Sequence, residues 1–281
     1  MHYGNYRRGK RDRSRRSVPL IILAVSALVA VLGIVIFLTI SRVSEPAKST
    51  LVVGTSTGFP PFEMRFGEEV RGLDIDLCRK IGEALGRDVV VRDMAFDALL
   101  PSLGRGVAGE KPLVDMVCAA VTKISERDEV ADFSDTYFTA NQAVLTTRDS
   151  GMVYSVPGDL ANLVVAYQEG TTSEDWFTAN VFGKVAIARH EPFTEMLIAL
   201  QRLGKDLNII IMDEPVARAL IKTRLHLAVA GVIETGEEYG FAVANGDPQG
   251  IIPAANKALR EMRESGEYDE LVKRWFSDDE K

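Results

Sequence analysis

Two charged side chains in this sequence stand where a buried strand should stop. In AAVTKISERDEVADFSD (119–135) an apolar run ends and Arg127 follows five residues beyond Thr122. In NIIIMDEPVARALIKT (208–223) Asp213 closes another apolar run just ahead of Pro215. A guanidinium grips a carboxylate through two parallel N–H···O bonds, and a carboxylate in a dry cleft holds an ammonium. Hydroxyls and aromatic rings fall at comparable points: Ser56 and Phe59 in GTSTGFPPFEM, then Phe96, Thr122, and Gln168 to Ser173 in QEGTTS. Taken singly, each has a plainer role. Arg127 suits a solvated surface, Phe59 and Phe96 suit a core, and Asp213 suits a helix N-cap with Pro215 in the first turn. Thr171 and Glu174 fit a capping box, the threonine bonding forward and the glutamate back. Asp132 and Asp135 suit turns or caps.

The elements decide whether these residues meet. LVVGTS (51–56) reads as a strand, and GLDIDLCRKIGEALG as a helix with Asp74 at its N-cap and Ile75, Cys78, Ile81 and Leu85 on one face. Strands at 89–94 and 113–121 follow, with a helix over FDALLPSLGRG between them. The alternation restarts with a strand at 163–168, a helix from GTTSEDWF, a helix over PFTEMLIALQRLG (192–204), a strand at 208–213 and a helix over EPVARALIKT. A strand at 239–244 and two closing helices end it. Alternating β and α with continuous apolar strands predicts an α/β fold of mainly parallel sheets flanked by helices, and about 230 residues suffice for two such units. Ligands of such sheets bind beyond the carboxyl ends of the strands. Ser56, Phe59, Phe96, Ala120, Thr122, Arg127, Gln168, Thr172 and Asp213 all fall on that rim. One cation, one anion, hydroxyls and two aromatics complement a zwitterion bearing a side chain, which is an α-amino acid.

The N-terminus is a different kind of segment. Residues 1–17 hold seven lysines and arginines against Asp12, leaving +6 there and −13 on the rest of a chain of net charge −7. A nucleic-acid arm is the first thought, but the basic run leads directly into VPLIILAVSALVAVLGIVIFLTI, Val18–Ile40, without a charge. As a helix those 23 residues would span about 34 Å, enough for a bilayer core of about 30 Å. The expectation is a cytoplasmic tail (1–17), an uncleaved transmembrane anchor (18–40), a linker (41–50) and an extracytoplasmic remainder. A cleavable signal peptide is the rival, although its apolar region is usually shorter. Cys78 and Cys118 sit in apolar stretches and read as two buried thiols. Three histidines without close cysteine spacing give no metal signal, and neither cofactor nor nucleic acid is expected.

Seven segments in order from 51 to 276 resemble one family: GTSTGFPPFEM, GLDIDLCRKIGEALG, FDALLPSL, VTKISERDEVADFSDTYF, YQEGTTSED, IIIMDEPVA and ANKALREMRESGEYDELVKRWF. They look like the extracytoplasmic solute-binding proteins of family 3, the polar amino-acid receptors of ABC importers. The resemblance implies a type II periplasmic-binding-protein fold, monomeric, with two lobes joined by two hinge strands. Lobe 1 would comprise 51–141 and 239–281, and lobe 2 142–238. It also implies roles. Arg127 forks onto the ligand's α-carboxylate, assisted by the Thr122 hydroxyl and the Thr172 backbone N–H. Asp213 and the Ala120 carbonyl take the ammonium, while Phe59 and Phe96 flank the side chain. Gln168 and Met212 stand where relatives vary with specificity. Ser56 replaces an aspartate found in binders of basic amino acids, which favours a neutral or modestly polar ligand unless Glu63 or another acid reaches the pocket. The implied function is a tethered receptor and not an enzyme. Alternatives are a cyclohexadienyl dehydratase-like enzyme with Glu174 as general acid, or a sensing module for a partner receptor.

Overall fold

The computed structural model describes residues 49–104, 112–181, 187–190, 205 and 207–277, the 187–190 stretch by its backbone. The expected tail (1–17), anchor (18–40) and helix at 192–204 lie outside the described residues, as does most of the linker. Among the described residues no helix is long and apolar enough to cross a membrane.

From β1 (Thr50–Thr55) the chain turns through a small hairpin, β2 (Met64–Phe66) and β3 (Glu69–Arg71), into α1 (Leu73–Leu85) and back along β4 (Asp88–Asp93). A short helix α2 (Phe96–Leu99), β5 (Met116–Val117), α3 (Ser125–Asp128) and β6 (Ala131–Phe133) follow. The next stretch is β7 (Phe138–Thr147), β8 (Val165–Gln168), α4 (Thr172–Asn180), β9 (Ile187–His190), β10 (Ile209–Asp213), α5 (Glu214–Thr223) and β11 (Leu227–Tyr239). Last come β12 (Ala242–Ala244), α6 (Ile251–Ser265) and α7 (Glu267–Phe276). Two five-stranded sheets result, ordered β4-β1-β5-β12-β6 and β11-β7-β10-β8-β9.

The sheets are mixed, where mainly parallel ones were expected. β4-β1-β5 and β10-β8-β9 run parallel. β12 lies antiparallel between β5 and β6, and β7 antiparallel to both β10 and β11. The reason is connectivity. The chain passes from β6 to β7 through 134–137 and from β11 to β12 through Gly240 and Phe241. No crossover helix turns it around, so the returning strand arrives antiparallel. The strand expected over 113–121 is confined to Met116–Val117.

Aromatic rings fill the junction between the sheets. Tyr137 stacks on Phe241 at 4.5 Å, and Phe62 meets Phe138, Tyr239 and Phe276 edge-on at 5.1–5.5 Å. The loop bearing Phe62 is pinned to the start of α1, where Leu73 and Asp74 N–H donate to the Pro61 and Phe62 carbonyls. Gly72 permits this approach. A Cβ there would lie 1.9 Å from the Phe62 carbonyl oxygen, with φ at 150°.

Asp74 does not cap α1; Gly72 holds that position. Its buried side chain reaches across instead, Oδ2 accepting from Ala120 N–H and from Tyr137 O–H, each at 2.8 Å. Cys78 and Cys118 are both buried free thiols, and Cys118 Sγ–H donates to the Asp74 carbonyl. Burial raises the Asp74 carboxyl to about 6 against the pull of these bonds. The folded protein therefore holds a proton between about pH 4 and 6 that the unfolded chain has lost. The stability linked to that proton is full below pH 4 and is lost as pH rises through 6. A shift of roughly two units corresponds to about 3 kcal/mol. Asp74→Asn keeps an acceptor oxygen that never ionises. Its melting temperature relative to the parent should climb between pH 4 and 7 and then level off; a difference independent of pH would refute this account of Asp74.

Candidate functional site

After β5 the chain leaves the sheet because Ala120 takes a left-handed conformation, φ 47°, held by the Asp74 bond to its N–H. Two residues later Thr122 forms an isolated bridge with Tyr239 of β11. Arg127 follows on the four-residue α3 and is buried, 8% exposed. Its Nη1 donates to the Thr122 carbonyl at 2.8 Å and its Nη2 to the Gly170 carbonyl at 3.0 Å. The guanidinium carbon lies 5.5 Å from the centre of the Phe96 ring, within cation–π range. These bonds use two of its five donors. Burial lowers the Arg127 pKa, and the charges of Glu237, Asp175 and Asp213 oppose that shift.

The facing wall comes from the second sheet. β8 ends at Gln168, the chain turns at Gly170 (φ 74°), and α4 begins at Thr172. The capping box does not form as expected. Thr171 Oγ1 turns back to the Gln168 carbonyl, and Glu174 accepts from Gly170 N–H, one residue before the cap. Asp213 stands at the N-cap of α5 with Pro215 in the first turn, yet its side chain makes no cap bond. It accepts from Gln142 Nε2 and from Tyr239 O–H, the latter at 2.8 Å. Burial first, then the charge of Glu237, raises Asp213 to about 7.

These elements enclose one cavity. Arg127, Asp213, Thr122, Thr172 and Ala120 line it, and so do Phe59, Phe96, Ser56, Gln168 and Met212. Every site residue named from the sequence thus lines the same cavity. One detail differs from expectation: the Thr122 hydroxyl donates to Glu237 at 2.6 Å, so its single proton is already engaged. Glu63 joins the lining. It is 1% exposed, and its Oε2 has no hydrogen-bond partner among the described residues. Paired backbone bonds with Phe59 hold it in place. Burial first, then the charge of Asp74, raises its carboxyl well above the usual range.

Three residues behind the cavity went unread in the sequence: Gln142, Glu237 and Tyr239. Gln142 donates to both Asp213 and Glu237 and accepts from Ser173 Oγ. Each lies on a strand crossing between the sheets, where no local pattern marks it. Glu63 was named from the sequence only as one acid that could reach the pocket, and it does line the cavity.

A family model, the bacterial extracellular solute-binding proteins of family 3, matches residues 51–278. The arginine-binding extracellular protein ArtP of Bacillus subtilis (strain 168) is 30% identical over 240 residues, covering 83% of this chain and 89% of its own. A solved ancestral arginine-binding protein bound to arginine superposes with a TM-score of 0.72 at 32% identity, covering 82% of this chain and all of that one. An ancestral arginine-binding protein bound to glutamine gives 0.71 at 33% identity, with 82% and 98% covered.

Alanine in the left-handed region carries strain of about 1 kcal/mol, which glycine lacks, although glycine also loosens the unfolded chain. Ala120→Gly should therefore raise the melting temperature by about 1–3 °C in calorimetry. A fall of that size would mean that Ala120 is unstrained.

Proposed function

The chain belongs to the bacterial extracellular solute-binding proteins of family 3, and we propose that it is a membrane-tethered receptor for an L-amino acid with a cationic side chain, arginine foremost, serving an ABC transporter. In this reading Arg127 takes the α-carboxylate through its remaining donors. Asp213 takes the ammonium with the Ala120 carbonyl, and the Thr172 backbone N–H faces the carboxylate. Phe59 and Phe96 flank the side chain.

Glu63 carries the choice of side chain. Ser56 alone would favour a neutral ligand, because a cation entering the cavity would be buried without an acid. Glu63 supplies that acid in the same cavity, buried and with an oxygen that has no hydrogen-bond partner among the described residues. A cationic side chain satisfies such an oxygen by charge and by hydrogen bonding together, and a guanidinium does so with the more directional donors. The arginine-binding relatives support the same assignment. A dehydratase-like reading needs Glu174 at the cavity. The wall instead runs through Thr171, Thr172 and Ser173, while Glu174 is bonded to Gly170 N–H.

The tether is the uncharged span 18–40, which holds the binding part outside the membrane with the basic tail inside. Amino-terminal sequencing of membrane-extracted protein should find the chain intact from its first residues. A mature terminus near Arg42 with soluble protein would overturn the tether.

Calorimetric titration tests the ligand. Arginine should bind more tightly than glutamine, and Glu63→Gln should weaken arginine at least about tenfold more than glutamine. Because burial raises the Glu63 carboxyl well above its usual range and a guanidinium beside it would lower it again, arginine should release more protons than glutamine on binding. Arg127→Ala should weaken both ligands by about tens to thousands of fold, with Arg127→Lys between. An arginine-to-glutamine affinity ratio unchanged by Glu63→Gln would remove Glu63 from recognition.

A further inference from the structure

The Glu237 carboxylate lies outside the cavity wall yet joins everything around it. It is 7% exposed and follows a bulge in the β11–β7 ladder between Ile233 and Glu237, where Gly236 takes φ 62°. Bulges re-aim the residue that follows them. Here Oε2 accepts two hydroxyl bonds, from Thr122 at 2.6 Å and from Thr172 at 2.8 Å, and Oε1 accepts from Gln142 Nε2 at 2.8 Å. Thr122 hangs from β5 of the first sheet, whereas Thr172 opens α4, packed on the second.

We propose that Glu237 is a clasp between the lobes: one carboxylate oxygen ties Thr122 to Thr172 when the cleft is shut, and so sets ligand affinity without touching the ligand. Three features support it. Both bonds are short and charge-assisted, the strong class of O–H···O contact. Each hydroxyl has one proton, so neither can donate to a ligand while bonded to Glu237. Finally, the other inter-lobe bond at this point, Arg127 to the Gly170 carbonyl, comes from a residue whose charge Glu237 offsets. Opening the cleft separates Thr122 from Thr172, so Glu237 can keep at most one of them. The clasp therefore favours the closed state by its own bonds, and a ligand binding that state gains affinity in proportion to its population.

The affinity part rests on the amino-acid receptor reading; the closure part does not. The test uses the full chain carrying dyes at Glu129→Cys and Thr178→Cys, exposed positions on opposite lobes, in energy-transfer measurements without and with arginine. Glu237→Ala should shift the distance distribution toward open before any ligand is added. It should also weaken arginine and glutamine by one common factor, about ten- to a hundredfold for losing bonds to a charged acceptor. Thr172→Val, which removes one hydroxyl and keeps the backbone, should act in the same direction and replaces Glu237→Ala if that variant does not fold. A distribution and affinity unchanged in these variants would overturn the clasp. A changed arginine-to-glutamine ratio in Glu237→Ala would also overturn it, by showing contact with the ligand. If no amino acid binds the parent, the receptor reading fails, and the ligand-free distribution still decides the clasp.

Discussion

Gln142 holds one carboxamide between two buried acids. Its nitrogen has two protons, and they go to Asp213 and Glu237; its oxygen accepts from Ser173. Because both neighbours on the nitrogen side are acceptors and the third is a hydroxyl, the amide has one sensible orientation. Two carboxylates this close repel, and that repulsion adds to burial in raising Asp213 to about 7. Remove the amide and each acid would face the other across a site with no compensating donor between them. The end of β10, the bulge of β11 and the first turn of α4 are all positioned by this one side chain.

The second constraint is that the two chain crossings run side by side. Tyr137 and Phe138 leave the first sheet while Tyr239 and Phe241 return to it, and their rings pack together with Phe62 and Phe276. An apolar joint of this kind keeps water away from Asp213, whose second partner is the Tyr239 hydroxyl. It also explains why Phe62 and Glu63, adjacent in the chain, do different work. The ring goes into the joint, and the carboxyl goes into the cavity. Gly72 sits under this loop because any side chain would strike the Phe62 carbonyl.

Much of this was legible from spacing. The helix at 214–223, the strand into Asp213 and the closing helices follow from apolar periodicity and a proline in the first turn. The rim residues converge because strand ends converge, which is a property of the fold class more than of any one residue. What stayed hidden depends on pairing across the sheet. LAVAGVIETGEEY reads poorly as a strand because two register shifts break its alternation, and the second of these aims Glu237. Asp74 reads as a cap because caps are local, whereas its real partners, Ala120 and Tyr137, are 46 and 63 residues away. The strand expected over 113–121 pairs only at Met116–Val117, and nothing in an alanine announces the positive φ of Ala120 beyond it.

Charge balance ties the site to the proposed ligand. Arg127 contributes one positive charge, and Asp213 and Glu237 contribute the acids that face it. A zwitterion adds no net charge, so its carboxylate and ammonium can be matched by Arg127 and Asp213 without disturbing Glu63. A cationic side chain adds one unit and changes that balance. Burial first, then the charge of Asp74, pushes the Glu63 carboxyl well above its usual range, and in the proposed reading the guanidinium would favour its ionised form. The acid is therefore conditional. In the proposed reading it would add no charge beside a neutral ligand and form an ion pair with a cationic one, so the proposed cavity would favour the second. A permanently ionised aspartate at position 56 would leave an unmatched charge beside a neutral side chain. Serine there with Glu63 nearby avoids that cost.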